Sequence, residues 1–391
     1  MVEGRATLVV DLGNSETRVI TRFGKTKSGM PRKRTTVFSN KFGELIDTGL
    51  LQNPDYSPEN SKVFSVGGGV LMCSGKMCDR EKGTASQRPS STIRKYDSNI
   101  TMYSLRRAFL QGYRDISDMC QASMDSINIR WDVVVLLPPS DLDIGKDVII
   151  RRILDLKRLD FVMPKFSTNL VIDNVRVVPE GFCAFIGAVF KSSTEIRKGY
   201  EKYLTGSTLI VDIGAGTTDF VIISNTELVD SSRYSENTGG NQVFQKLNVA
   251  LRREIGSNIP EDTLREASVS GVLRVGSRLI NVVDNIENAK KDVAVKLSQS
   301  IKNYIESSEF SVFDIQYILI CGGGSEPCGE GMKPLGDYLR ENLKNWMKYS
   351  EFIDTPTLDM VVHIGDSLDE EREATARLLN VVGAEVLSEI K

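Results

Sequence analysis

Two stretches of the chain share one pattern of apolar and small residues. They are LVVDLGNSETRVI at residues 8–20 and LIVDIGAGTTDFVII at residues 209–223. In each stretch an apolar run of strand length ends in Asp-x-Gly, small residues follow, and a second apolar run begins. The pattern predicts two β-hairpins with tight, glycine-containing turns, about two hundred residues apart.

The two hairpins also match each other position by position. With Asp11 aligned on Asp212, the identical pairs include Val10 on Val211, Gly13 on Gly214 and Thr17 on Thr218. Four identities at a constant offset, each in a strand-turn-strand context, indicate an internal duplication. The sequence therefore predicts two similar domains, each presenting one glycine-containing hairpin.

Between the hairpins, strand and helix patterns alternate, which predicts an α/β protein. Apolar strands are predicted at 131–137, 174–179 and 315–321, and a helix is predicted at 104–116. Further helices are predicted at 180–190, after the glycine pair at 239–240, across 261–308 and across 370–387. The segment from about 28 to 100 has short apolar runs among Ser, Lys, Gly and Asn, and is interpreted as a looped subdomain.

Length and composition agree with two globular domains. A chain of 391 residues exceeds what one hydrophobic core usually fills. Hydrophobic residues make up 40% and charged residues 26%, as in ordinary soluble proteins. We expect domain I at 1–200 plus 366–391, including the looped subdomain, and domain II at 201–365.

Net charge and cysteine spacing limit the cellular location and the binding partners that we expect. A net charge of -3 gives no general attraction to DNA or anionic lipid, and the basic run PRKRT at 31–35 is interpreted as a solvated loop. The six cysteines form no CxxC pair and no zinc spacing. No signal peptide, membrane-spanning run or amphipathic amino-terminal helix is evident. We expect a cytoplasmic protein with no membrane partner and no direct nucleic-acid contact.

Turns of Gly, Ser and Thr are suited to phosphate binding. They expose backbone N–H groups without Cβ obstruction and add hydroxyl donors. A carboxylate beside phosphates repels them unless a cation intervenes, and hydrated Mg²⁺ bridges such groups through its waters. We therefore expect Asp11 and Asp212 to hold Mg²⁺ through water, and residues 322–325, Gly-Gly-Gly-Ser, to let backbone approach a sugar or α-phosphate.

Two other nucleotide motifs do not fit. GKT at 24–26 resembles the end of a P-loop, but Val19 stands where that motif requires its first glycine. The second hairpin has Asp219 where a dinucleotide fingerprint requires its last glycine, and it continues into a strand instead of a helix.

The motifs resemble those of the superfamily of actins, heat-shock-chaperone ATPases and sugar kinases. VVDLGNSETRVI resembles its first phosphate motif, LIVDIGAGTTDFVII its second and ILICGGGSEPCG its adenosine motif. VVPEGFCAFIGAV and ATARLLNVVGAEVL are similar to its two connecting helices. Length and the PEG segment are most similar to ParM-like plasmid-segregation actins. The resemblance implies an actin-like fold of two duplicated RNase H-like domains with a nucleotide cleft between them.

The resemblance also implies residue roles. Asp11 and Asp212 would organise Mg²⁺, and Glu180 would polarise the attacking water. Arg18 stands where actins usually have a phosphate-facing lysine, and a guanidinium fork differs from a point charge. The β-phosphate would lie on Gly13, Asn14 and Ser15. The γ-phosphate would lie on Gly214, Gly216, Thr217 and Thr218. The ribose and adenosine would lie on Gly239, Gly240, Gly322, Gly323, Gly324 and Ser325, with the base near residues 261–291.

Several functions share this fold, so the fold does not settle the activity. A complete chaperone is disfavoured because no separate peptide-binding domain is evident. The first hypothesis is a bacterial actin-like ATPase that uses ATP or GTP with Mg²⁺, polymerises into dynamic filaments, and moves plasmid or phage DNA through a DNA-binding adaptor. The second is a small-molecule kinase of the sugar-kinase type. The third is a nucleotide-dependent regulator that does not polymerise.

Overall fold

The structure, a computed structural model, describes residues 1–26, 29, 31–80, 84–87, 94–326, 331–364, 371–374 and 376–390. The chain folds into two compact units. Unit 1 comprises Met1–Pro179, Thr357–Ala374 and Val381–Lys391. Unit 2 comprises Glu180–Pro356 and Thr375–Asn380.

The strands of the described residues form the sheets of both units. In chain order they are β1 (Val2–Leu12), β2 (Glu16–Lys25), β3 (Pro31–Ser39), β4 (Phe42–Leu45), β5 (Ser61–Gly67), β6 (Val70–Gly75), β7 (Thr84–Gln87), β8 (Ile127–Leu137), β9 (Arg158–Met163), β10 (Phe166–Asn169), β11 (Val171–Pro179), β12 (Phe190–Ser192), β13 (Glu195–Ile196), β14 (Ser207–Ile213), β15 (Thr218–Ser224), β16 (Glu227–Leu228), β17 (Tyr234–Glu236), β18 (Val272–Val275), β19 (Arg278–Asn281), β20 (Ile315–Cys321), β21 (Glu351–Ile353), β22 (Leu358–Ile364) and β23 (Glu371–Ala374).

The helices of the described residues separate and cover these strands. They are α1 (Lys76–Arg80), α2 (Asn99–Cys120), α3 (Leu142–Leu154), α4 (Phe182–Val189), α5 (Asn241–Ile255), α6 (Glu261–Ser270), α7 (Val283–Ser307), α8 (Leu335–Lys344) and α9 (Leu379–Ser388). None of them is long and apolar enough to cross a membrane.

The main sheet of unit 1 has the order β11-β8-β1-β2-β3-β22-β23 among the described residues. β1 pairs in parallel with β8 and antiparallel with β2, so the first hairpin lies at the centre of the sheet. Residues 6–12 of β1 are all buried, because both faces of this central strand are covered. Trp131 of β8 packs edge-on against Phe109 and Tyr113 of α2, with ring centroids 5.7 and 5.3 Å apart. The predicted hairpin and the predicted helix near 104–116 are both present.

A second sheet in unit 1 corrects the interpretation of residues 28–100 as a looped subdomain. In the described part of the chain its order is β10-β9-β5-β6-β4-β7. A small core lies on this sheet, including Val63, Cys73, Met77 and Met163. Its strands are short, and β5 pairs with β9, far along the chain, which is why local composition suggested loops.

The basic run at 31–35 is also corrected, since it belongs to strand β3 and is not a solvated loop. Arg32 Nη1 donates to the carbonyl of Met119 at 2.6 Å. Its neighbours form ion pairs: Lys33 Nζ lies 3.1 Å from Glu385 Oε2, and Arg34 Nη1 lies 2.6 Å from an Asp118 oxygen. These three basic side chains therefore have partners within unit 1.

Unit 2 repeats the arrangement of unit 1. Its main sheet has the order β16-β15-β14-β20-β21 within the described residues, with β17 also paired to β15. β14 pairs antiparallel with β15 and in parallel with β20, as β1 does with β2 and β8. The predicted duplication is thus present as a repeated strand topology.

Three further sequence expectations differ from the structure. The chain passes into unit 2 at Glu180, whereas the expected domain break followed residue 200. The expected helical stretch at 261–308 is interrupted by the β18–β19 hairpin, whose turn includes Gly276 with a φ of 59°. The expected helix at 370–387 begins only at Leu379, because Glu371–Ala374 pair with β22 as strand β23. In the second and third cases, pairing with another strand overrides local helix propensity.

Candidate functional site

The first hairpin places Asp11 and Arg18 opposite each other. They are register partners in the β1–β2 ladder, one residue pair away from the turn. Arg18 Nη1 donates to Asp11 Oδ2 at 2.9 Å, and the two side chains are 14% and 2% exposed. Shielding from water strengthens this attraction relative to a surface pair. The conformation of Asp11 is thereby fixed by a cation supplied by the protein itself.

Asn40 closes the turn of this hairpin. Its backbone N–H donates to Ser15 O at 2.8 Å, and its Nδ2 donates to Gly13 O. Its Oδ1 accepts from Thr17 Oγ1 at 2.6 Å and from Ser104 Oγ at 3.0 Å. The predicted phosphate residues Gly13, Asn14 and Ser15 therefore lie in a turn of fixed shape. No local pattern pointed to Asn40, because its partners are distant along the chain.

The second hairpin is tied to the segment that begins helix α5. Gly214 N–H donates to Thr217 O at 2.9 Å and closes the turn. Gly240 N–H then donates to Gly214 O at 2.9 Å. A Cβ on Gly239 would lie 2.7 Å from Gly214 O and 2.8 Å from Ala215 O, so only glycine permits this approach. The predicted γ-phosphate turn and the predicted ribose-side glycines are thus one connected structure.

Side-chain bonds hold the strands of this second hairpin. Asp212 and Asp219 are register partners, at the places that Asp11 and Arg18 occupy in the first hairpin. Ser235 Oγ donates to Asp219, and Asn380 Nδ2 donates to Asp212 Oδ2. Thr218 Oγ1 donates to Thr238 O at 2.5 Å. Thr218, expected to bind the γ-phosphate, therefore uses its hydroxyl within the protein.

The triple-glycine segment lies against the same aspartate. Gly322 has a φ of 83°, and a Cβ there would lie 2.2 Å from Asp212 Oδ1. A Cβ on Gly323 would meet nothing within 4 Å, so this glycine borders open space. Ser325 Oγ donates to Cys321 O at 3.0 Å, which fixes the bend after β20. Burial, with the charges of Asp212 and Asp219, raises the pKa of Cys321 well above its ordinary value, so this thiol stays neutral.

Glu180 lies two residues before the first residue of helix α4, Phe182, and is buried. The next backbone N–H, of Gly181, donates to Asn380 Oδ1 at 3.0 Å. Asn380 therefore joins the start of α4 to Asp212. Asn380 was not among the predicted site residues, although its position as a polar residue within the apolar run Leu379–Val382 was a signal that could have identified it.

The predicted site residues thus fall into two groups, one in each unit. Asp11, Gly13, Asn14, Ser15 and Arg18 lie at the hairpin of unit 1. The unit 2 group consists of Glu180, Asp212, Gly214, Gly216, Thr217, Thr218, Gly239, Gly240, Gly322, Gly323, Gly324 and Ser325. Across the residues that the structure describes, no three His, Cys, Asp or Glu side chains group so as to hold a metal ion directly.

Comparisons with known proteins agree with this architecture. Residues 210–334 match the family model described as archaeal actin homologue MreB-like, C-terminal. The chain is similar to the crystal structure of Ta0583, an archaeal actin homologue, with 15% identity, 99% and 100% of the two chains covered, and a TM-score of 0.69. The Ta0583 complex with ADP gives 14% identity, 99% and 100% coverage, and a TM-score of 0.64.

A filament structure is similar as well. It is a 15-stranded ParM filament from Clostridium botulinum, with 16% identity, 99% of each chain covered and a TM-score of 0.66. No curated protein sequence matches the chain. The chain has the actin-like α/β fold, and its resemblance to archaeal and bacterial actin homologues is confirmed.

Proposed function

We propose that this chain, which has the actin-like fold, is a nucleoside triphosphatase that binds ATP or GTP through its two glycine hairpins and polymerises in a nucleotide-dependent way. The observation that carries the proposal is the duplicated hairpin. In each unit, a buried aspartate near the end of a central strand stands two residues before the glycine that begins the turn. Adenine nucleotide binding by a protein of the same fold, the Ta0583 complex with ADP, supports this assignment.

The hairpins are preorganised for phosphate. Asn40 fixes the first turn, and the Gly239–Gly240 pair fixes the second, so the backbone of each turn already has a defined shape before an anion binds. Arg18 keeps one positive charge beside the first turn. We assign the β-phosphate to the turn of unit 1 and the γ-phosphate to the turn of unit 2.

Asp11 and Asp212 are the carboxylates suited to Mg²⁺, each of them buried and fixed by a hydrogen-bond donor. Fixed oxygen acceptors of this kind suit the outer shell of a hydrated cation. When bound, Mg²⁺ would neutralise phosphate charge. Asp11 and Asp212 would hold and orient its waters through their carboxylate oxygens.

Glu180 is proposed to orient the attacking water. Its carboxyl group is buried at the start of α4, and the adjoining Gly181 N–H is anchored on Asn380. A buried carboxylate in this segment could accept a hydrogen bond from the water that attacks the γ-phosphate. Its removal would then slow hydrolysis while leaving nucleotide binding in place.

Filament formation is the part of the proposal that rests on the similar structures. The Clostridium botulinum ParM that resembles this chain forms a filament. A head-to-tail contact between identical subunits that does not close into a ring produces such a polymer. The net charge of -3 favours attachment to DNA through an adaptor over direct binding. We propose movement of plasmid or phage DNA as the cellular task.

Light scattering and phosphate release, recorded together with Mg²⁺ and ATP or GTP, test this function. The wild-type protein should show a rise in scattering, phosphate release and a later fall. Asp212→Asn should give no rise. Glu180→Gln should polymerise but hydrolyse about 100-fold more slowly, so that scattering persists. Glu195→Gln, an exposed carboxylate in unit 2, is the matched control and should behave as wild type.

Two results would contradict the proposal in different ways. Hydrolysis without any rise in scattering, over a wide range of protein concentration, would contradict the proposed polymerisation but agree with the proposed nucleotidase activity. Nucleotide consumption that begins only when a sugar or another small hydroxyl compound is added would contradict both parts of the proposal and indicate a kinase.

A further inference from the structure

A short segment near the carboxyl terminus contacts several parts of the unit 2 site. Within residues 376–380, Arg377 N–H donates to Glu326 Oε1 at 3.2 Å, directly after the triple-glycine segment. Three residues later, Asn380 bonds to both Asp212 and Gly181. One segment therefore contacts the flank of the glycine segment, the aspartate of the second hairpin and the start of α4.

Asn380 uses both ends of its amide group. Nδ2 donates to Asp212 Oδ2, and Oδ1 accepts from Gly181 N–H at 3.0 Å. The Asn380 side chain is buried, as are Asp212 and Glu180. A hydrogen bond to a carboxylate in such surroundings is stronger than one between neutral groups. Asn380 therefore sets the distance between Asp212 and the backbone next to Glu180.

The carboxyl group of Asp212 is confined on its other side too. The backbone of Gly322 approaches so closely that a Cβ there would overlap Oδ1. With Asn380 on Oδ2 and Gly322 beside Oδ1, the carboxyl group has little freedom to rotate. Neither aspartate nor alanine at position 380 could reproduce this arrangement, because aspartate repels the carboxylate and alanine reaches neither partner.

We propose that Asn380 is a positioning residue for hydrolysis, which holds the Asp212 carboxylate and the Glu180 segment in register with each other. The inference rests on the proposed nucleotidase function. It differs from a purely structural role for Asn380, in which the two hydrogen bonds only stabilise the fold. The two roles make different predictions for two substitutions.

The variants Asn380→Asp and Asn380→Ala separate the two bonds. Asn380→Asp keeps an oxygen to accept from Gly181 N–H, but loses the donor to Asp212 and adds a like charge. Asn380→Ala loses both bonds. Ser388→Ala, at the far end of the same helix, is the matched control, since its hydroxyl donates to Glu385 O at 2.6 Å outside the site. Thermal unfolding identifies any variant that has failed to fold.

Hydrogen exchange of the Gly181 amide in the nucleotide-free protein is the first measurement. Exchange in Asn380→Ala should be at least about tenfold faster than in wild type, while Asn380→Asp should stay within about threefold. Unchanged Gly181 exchange in folded Asn380→Ala would overturn the inference, whether or not the protein proves to be a nucleotidase.

Steady-state hydrolysis is the second measurement. Both variants should lower kcat by about tenfold or more while KM for the nucleotide stays within about threefold. Normal kcat in Asn380→Asp, despite protected Gly181, would show that the bond to Asp212 has no positioning role and would overturn the inference. Absence of hydrolysis in wild type would instead contradict the proposed function, and it would overturn this inference with it.

Discussion

Arg18 and Asp11 face each other across the first hairpin, with Nη1 2.9 Å from Oδ2 and both side chains largely shielded from water. The equivalent pair in the second hairpin is Asp212 with Asp219. The two hairpins therefore share the same strand pairing but differ in the charge of the residue opposite the aspartate. Unit 1 supplies a cation beside its aspartate, and unit 2 supplies neutral donors, Asn380 and Ser235.

Replacing Arg18 tests how much this ion pair stabilises unit 1. Arg18→Gln should lower the free energy of unfolding by about 3 kcal/mol, because the Asp11 carboxylate is left buried without its charge partner. Arg18→Lys keeps the charge but loses the fork geometry, and should cost about 1 kcal/mol. Urea titration at pH 7 measures both. The control is Arg34→Gln, whose pair with Asp118 is more exposed and should be worth less than about 1 kcal/mol. An equal loss in Arg18→Gln and Arg34→Gln would contradict the argument from burial.

The neighbouring glycines 239 and 240 offer a matched comparison. Gly239→Ala should displace the second hairpin, because its Cβ would meet two backbone carbonyl oxygens at under 3.0 Å. Gly240→Ala should be tolerated, since its nearest such atom lies at 3.7 Å. We expect at least about tenfold weaker binding of a fluorescent nucleotide, roughly 1.4 kcal/mol, for the first variant only. Similar affinities for the two variants would count against the tight contact.

The triple-glycine segment gives a second such pair. Gly322→Ala forces a Cβ into a residue with φ of 83° and against Asp212, and should lower the free energy of unfolding by about 2 kcal/mol or more. Gly323→Ala should leave it nearly unchanged, because nothing lies within 4 Å of the added carbon. Urea unfolding without nucleotide measures the difference. A stable Gly322→Ala protein would show that the bend after β20 can relax.

Asp115 should make stability depend on pH. Its pKa is raised to about 6, mainly because the side chain is buried. The charge of Asp118 also raises this pKa, whereas the hydrogen bond from Gln111 and the charge of Arg34 lower it. In an unfolded chain the pKa of aspartic acid is about 3.9. The contribution of Asp115 to stability is therefore fully present below about pH 4 and is lost as the pH rises to about 6.

The variant Asp115→Asn removes this titration. It should be more stable than wild type at pH 7 by up to about 3 kcal/mol, and the difference should close as the pH falls to 4. Urea unfolding at steps between pH 4 and 8 tests the expectation. Asp125 is exposed and follows helix α2, which contains Asp115. The control variant Asp125→Asn should differ from wild type by the same small amount at every pH. A difference that is constant with pH would mean that Asp115 does not titrate in this range.

The hairpins themselves were predictable because their signals are local. Asp-x-Gly between two apolar runs specifies a strand, a turn and a strand within about a dozen residues, and the register pairs Asp11–Arg18 and Asp212–Asp219 follow from the turn length. The β18–β19 hairpin and the sheet within residues 28–100 were missed, because short strands become recognisable only when their partners are known.

By itself, the sequence determined the two-part α/β organisation, the duplication and the positions of the phosphate-type turns. Only the tertiary structure decided what holds those turns in place: Asn40 on the first, Asn380 on Asp212, and Arg18 turned towards Asp11. The physical reason is distance along the chain. Backbone turns are set by neighbouring residues, whereas the buried hydrogen bond that the Asn380 side chain accepts from Gly181 joins residues 199 positions apart, and no local pattern records which donor will meet which acceptor.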